Sequence, residues 1–158
     1  MKLGIKAAFV AALTALAIWA PAANAGSVVL TLTRTTLNNV PDAAGLWQHE
    51  GGNIFKGAVK VGQYATVRRV TNGGTTAPLN TAATTITLFF ALAAGTAPQN
   101  VTLQGAHDFG PGNFQGSVSG ASTRYAWIRG ADASYSSPAA GTETLVISWT
   151  GAAQLTLP

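Results

Sequence analysis

The chain reads as all-β: a sandwich or a closed barrel of about eight short strands. Three observations predict this. Past residue 25, apolar and polar residues alternate with period two through most of the chain, the pattern of strands that bury one face. Clusters of Gly, Pro and Asn interrupt the alternation at residues 38–42, 72–74, 95–98, 110–113 and 120–122, where turns are expected. No stretch in that region carries the apolar spacing of an amphipathic helix.

Residues 1–25 have the form of a secretory signal peptide. Lys2 and Lys6 make a basic start, 7–20 is an apolar run, and Ala23-Asn24-Ala25 is a small-x-small cleavage site, with cleavage expected before Gly26. The apolar run is shorter than the ~20 residues of a membrane-spanning helix. A secreted or periplasmic protein is expected, with no transmembrane segment after cleavage. Residues 26–158 have the size of one domain. Lys2 and Lys6 leave with the signal peptide, so the +4 net charge of the whole chain falls to about half. The basic pair Arg68-Arg69 points to opposite faces of a strand, and no run of cations is present to track phosphates. Nucleic acid is not an expected partner. The chain has no cysteine, so export brings no disulfide and no thiolate chemistry.

The strands follow in order. Val28, Leu30 and Leu32 alternate with Val29, Thr31 and Thr33 in the first. Asn38 to Asp42 contains Pro41 and reads as a turn. A short strand at 46–50 is expected to break at Gly51-Gly52 and resume at 53–55. A long strand at 59–70 puts Tyr64, Thr66 and Arg68 on one face. Residues 75–83 form a polar loop long enough to act as a flap. The strand at 84–92 is apolar on both faces, with Ile86, Leu88 and Phe90 on one and Phe89 on the other. Both must be covered, which suits a barrel whose outer face meets another subunit.

Residues 101–129 carry most of the aromatic and charged chemistry. They read as three strands, the last placing Tyr125, Trp127 and Arg129 on one face by parity. After a loop at 136–141, a final strand at 142–150 alternates Leu145, Ile147 and Trp149 with polar residues, and 154–157 is short enough to pair only briefly.

Several side chains are candidates for ligand binding if their faces look inward. His107 shares a face with Leu103 and Phe109 and is a potential base. Glu50 ends its strand where it can reach a base in the lumen. Arg68 aligns with Tyr64, and Arg129 with Tyr125 and Trp127, each an arginine among aromatics suited to a carboxylate or phenolate. His49 and His107 lack further ligands at metal spacing, so no metal is expected. The serine-rich run 117–122 contains no G-x-S-x-G elbow.

The motif order resembles the allene oxide cyclase and dirigent superfamily. Gly45-Leu46-Trp47, Asn53-Ile54-Phe55 and Lys60-Val61-Gly62 are similar to its "GDL…LY…KKVG" run. Residues 84–90 followed by Val101-Thr102-Leu103-Gln104-Gly105 are similar to its aromatic strand and "I-x-V-Q-G" strand. Residues 117–126 with Arg129-Gly130 resemble "ITGGTGxFxxARG". The resemblance spans about 28–150. It implies an eight-stranded antiparallel up-and-down β-barrel, a narrow cavity, a trimer and no cofactor, and it matches Arg129 to the dirigent cavity arginine. Residues 34–40 lack the carboxylate that cyclases carry there, Arg68 falls near their cavity cysteine, and Arg124 stands where dirigent proteins have aspartate. The expected function is a secreted barrel binding a small apolar or phenolic ligand, guiding a cofactor-free cyclisation or coupling. The alternative is a non-enzymatic trimeric scaffold; a carbohydrate-binding sandwich is a third reading.

Overall fold

A computed structural model describes residues 25–42, 45–70, 81–90 and 97–158. The expected signal peptide up to residue 24 and the expected flap at 75–80 lie outside them. Eight strands run in chain order around a closed antiparallel barrel: β1 (Ala25–Asp42), β2 (Gly45–Lys56), β3 (Val59–Val70), β4 (Thr81–Phe90), β5 (Gln99–Asp108), β6 (Asn113–Ala121), β7 (Asp132–Ala139) and β8 (Thr142–Thr150). β1 closes the ring against β8, with Leu30 opposite Leu145 and Val28 opposite Ile147. The barrel is the expected one; the sandwich is not formed. None of the helices among the described residues is long and apolar enough to cross a membrane.

The alternation explains the core. Leu30, Leu32, Ile54, Ile86, Leu88, Leu103, Phe114, Leu145 and Ile147 are fully buried inward residues from six strands. A ring of eight strands encloses about the width that such side chains fill, and burying each contributes roughly 1.5–3 kcal/mol.

Five local expectations need correction. Residues 38–42 are strand, not turn. Past Thr33, β1 has lost its β8 partner and pairs with β2 alone, so Pro41 lies at an open edge where its missing N–H costs no ladder bond. Gly51-Gly52 does not interrupt β2. A Cβ at Gly52 would collide with the Thr33 carbonyl and come within 2.7 Å of the Tyr64 ring, so this glycine is the space into which Tyr64 folds. Residues 81–83 and 136–139, expected in loops, belong to β4 and β7, while 154–157 forms no strand.

The largest correction concerns residues 123–129. Instead of a strand they form a 3-10 helix, Thr123–Ile128, across the end of the barrel. Its three-residue turn puts Tyr125 and Ile128 on one side, and both are buried. The Tyr125 ring meets Phe90 edge-on at 5.4 Å. A strand would have aligned Tyr125 with Trp127; the helix separates them and plugs the lumen.

Gly52→Ala is expected to destabilise the barrel by about 1–3 kcal/mol, because the Thr33 carbonyl and the Tyr64 ring must both give way. Gly120→Ala, whose nearest neighbour would stand at 3.7 Å, should stay within about 0.5 kcal/mol of the parent. Urea unfolding of both variants checks the contrast.

Candidate functional site

The lumen is apolar for most of its depth and becomes polar at the end opposite the 3-10 helix. There the inward positions of β2, β3, β5, β7 and β8 are taken by Glu50, Arg68, His107, Tyr135 and Glu143, all buried. Arg68 lies at the centre. Its Nη1 donates to Glu50 Oε2 at 2.9 Å, and its Nη2 donates to Tyr135 Oη at 2.8 Å and to Glu143 Oε1 at 3.2 Å. Tyr64 Oη donates to the other Glu50 oxygen at 2.8 Å.

A guanidinium has no lone pair to offer, so Tyr135 Oη must accept from Arg68. Its own proton is then free to bond His107 Nδ1, 2.8 Å away, an arrangement that goes with a neutral imidazole carrying its hydrogen on Nε2. Burial, reinforced by the Arg68 charge, lowers the His107 pKa from 6.5 to about 4, in keeping with an acceptor at Nδ1. Burial alone would pull Arg68 down, but Tyr135, Glu50 and Glu143 outweigh it and hold the guanidinium charged. Both tyrosines are pushed up, chiefly by burial.

Glu143 is the odd member. Burial first, then the Glu50 charge, raise its pKa from 4.5 to about 7, against the pull of Arg68 and Arg34. Its Oε2 is buried with no hydrogen-bond partner, as is Arg68 Nε. A carboxyl group that exchanges its proton near neutrality suits acid–base work.

Above the cluster a cavity of about 380 Å³ opens to solvent. Arg34, Leu37, Phe109 and Gly141 surround it, with Arg68, His107 and Glu143 lower down. Arg34 precedes the β1 bulge. Its backbone N–H donates to Gly141 O at 2.8 Å, and among the described residues its guanidinium approaches Glu50 Oε2 at 3.7 Å. A larger groove of about 640 Å³ lies at the other end, along Trp149 and Gln154, but Lys56 is the one charged residue lining it. Its chemistry is poorer despite its size. No group of three or more His, Asp or Glu residues among the described ones is placed to hold a metal ion.

Of the residues singled out in the sequence, Glu50, Tyr64, Arg68 and His107 meet in this one cluster. Tyr125, Trp127 and Arg129 do not. Tyr125 is a core residue of the opposite end. Trp127 is 42 % exposed and packs edge-on against Trp149 at 5.3 Å. Arg129 is exposed on the outside, where Nη2 donates to Ala121 O at 2.9 Å. The 3-10 turn, which breaks strand parity, is the physical reason. The position matched to the dirigent cavity arginine is thus outside the lumen.

Arg34, Tyr135 and Glu143 were missed. Glu143 stands two residues before Leu145 and Arg34 two after Leu32, so each is a charge at an inward parity position. That signal was available. Tyr135 follows Ala131 and Ala133 in the same way.

No family model matches the chain, and no curated protein does. Among solved structures, a crystal structure of an enzyme from Penicillium herquei is similar, with a TM-score of 0.47 and 12% identity over 80% of this chain and 94% of that one. A likeness so slight carries no weight for function.

The His107 shift makes a pH prediction. Below about 6.5 the unfolded chain takes up a proton that the folded chain refuses until about 4, so folding stability is lost as pH falls through that window. His107→Gln should remove this loss. Its stability relative to the parent should improve by about 2–3 kcal/mol between pH 7 and pH 4, measured by urea unfolding.

Proposed function

We propose that the polar end of the barrel binds a small phenolic or enolic molecule and that Glu143 serves as the base toward its hydroxyl group. The observation that carries this reading is a buried carboxyl, raised to about 7 and with one oxygen unpartnered, in the wall of an open cavity. An entering O–H supplies the missing donor. Removal of its proton leaves an oxyanion, which Arg68 stabilises. Such an anion is an internal nucleophile, the starting point of a cofactor-free cyclisation. The neutral His107–Tyr135 pair keeps the Arg68 guanidinium fixed, so little reorganisation accompanies the transfer.

The proposal extends to kinship with the allene oxide cyclase and dirigent-like barrels, which rests on the motif order and on eight antiparallel strands in sequential ring order. Export rests on the form of residues 1–25. Self-association as a trimer rests on the outer face of β4, where Phe89 is 38 % exposed, an apolar surface that another subunit would cover.

The test is binding of p-cresol. The parent should bind it several-fold more tightly at pH 8 than at pH 6, because the Glu143 carboxylate forms across that interval and accepts the phenolic hydrogen. Glu143→Gln should bind weakly and equally at both. Ala140→Trp, which fills the cavity wall, should abolish binding. If the parent ignores simple phenols, or the tryptophan variant binds them unchanged, the scaffold reading replaces this one.

A further inference from the structure

Arg34 has no role in the proton chemistry above, yet it stands at the rim of the same cavity. Its side chain is 34 % exposed, so it retains the water contact that Arg68 lacks. Glu50 is already bonded by Tyr64 and Arg68 at 2.8 and 2.9 Å, and its 3.7 Å approach to Arg34 is too long for a hydrogen bond. Among the described residues the Arg34 guanidinium donates no hydrogen bond. The backbone nevertheless holds it in place, through the N–H bond to Gly141 and the β1 bulge.

The charges around the cavity have the same sense. Arg68 and Glu50 compensate each other, His107 is neutral, and Glu143 is partly protonated near pH 7. Arg34 is the cation left over. Leu37 and Phe109 line the same cavity as an apolar wall, with Phe109 edge-on against His107 at 4.5 Å. A cavity of about 380 Å³ lies at the small end of ligand sites and suits a single ring.

We propose that Arg34 is an anion anchor that selects aromatic hydroxy acids: it takes the ligand carboxylate in a bidentate grip at the rim, Phe109 and Leu37 cover the ring, and the hydroxyl is directed to Glu143. A planar fork facing a carboxylate is the geometry for which arginine is suited and lysine is not. The proposal rests on the Glu143 reading for the hydroxyl end, but the carboxylate end stands by itself.

Three probes separate the two ends: benzoate, p-cresol and 4-hydroxybenzoate, titrated into the parent, Arg34→Gln and Arg34→Lys at low salt. 4-Hydroxybenzoate should bind the parent at least tenfold more tightly than p-cresol. Arg34→Gln should erase that advantage and lose benzoate binding, while leaving p-cresol within twofold. Arg34→Lys should recover only part of the affinity, since a point charge does not replace the fork. Equal affinity of the parent for p-cresol and 4-hydroxybenzoate, or insensitivity of benzoate to Arg34→Gln, overturns the anchor. Benzoate bound through Arg34 with p-cresol unbound keeps the anchor and removes the Glu143 reading instead. Full restoration by lysine also overturns the bidentate grip. A matching urea midpoint for each variant shows that affinity, not folding, has changed.

Discussion

The buried guanidinium of Arg68 is the constraint on which the polar half of the barrel depends. An unpaired cation in such a place is prohibitively costly. It is tolerated because donors and acceptors from four other strands converge on it: Glu50 from β2, His107 from β5 through Tyr135 of β7, and Glu143 from β8. Tyr64 on its own strand completes the Glu50 end. All of these reach it only when five strands share one register. A buried ion cluster adds little net stability over apolar packing. What it adds here is a defined arrangement of protons at the mouth of a lumen that would otherwise be closed by hydrocarbon.

The division of the barrel into two ends follows from the same economy. At one end Tyr125 and Ile128 of the 3-10 helix finish the apolar core. At the other the inward face changes character within a single pleat, from Leu145 to Glu143 and from Leu103 past Gly105 to His107. Gly105 and Gly116 face one another there, so close that a Cβ on Gly105 would reach 2.6 Å from Gly116 Cα. Phe114 lies beside them and stacks on Tyr135 at 5.3 Å. The missing side chains allow the two strands to approach, and the aromatic pair fills the level just beneath the polar cluster.

Strand identity was legible wherever one face is buried against the core, because alternation then has one meaning. Arg68, Tyr64, His107 and Glu50 were recoverable for that reason. Alternation fails where chain geometry is not extended. Tyr125, Trp127 and Arg129 alternate as a strand would, and nothing local distinguishes that from a turn with period three; the choice is made by an open barrel end that needs filling. Pro41 and Gly52 were misread in the opposite sense. Each is unfavourable for a strand in isolation, and each is accommodated by a tertiary fact: an absent neighbour for Pro41, an incoming ring for Gly52. Glu143 and Arg34 were visible as charges at apolar parity, but their partners lie far along the chain, and no spacing rule connects residues 68 and 143.

The ring order has a consequence for how this protein reaches its folded state. Every pairing but one joins neighbours in sequence; the exception joins the first strand to the last. Until β8 is in place, β1 presents an unsatisfied edge and the lumen lies open as a curved sheet. Arg68 acquires Glu50, itself held by Tyr64, within one hairpin, whereas Glu143 is 75 residues away and arrives at closure. Long-range closure of this kind slows folding, because the first and last strands must find each other across the whole chain. The final strand therefore acts as a latch: the step that completes the barrel also brings the last carboxylate to the buried cation.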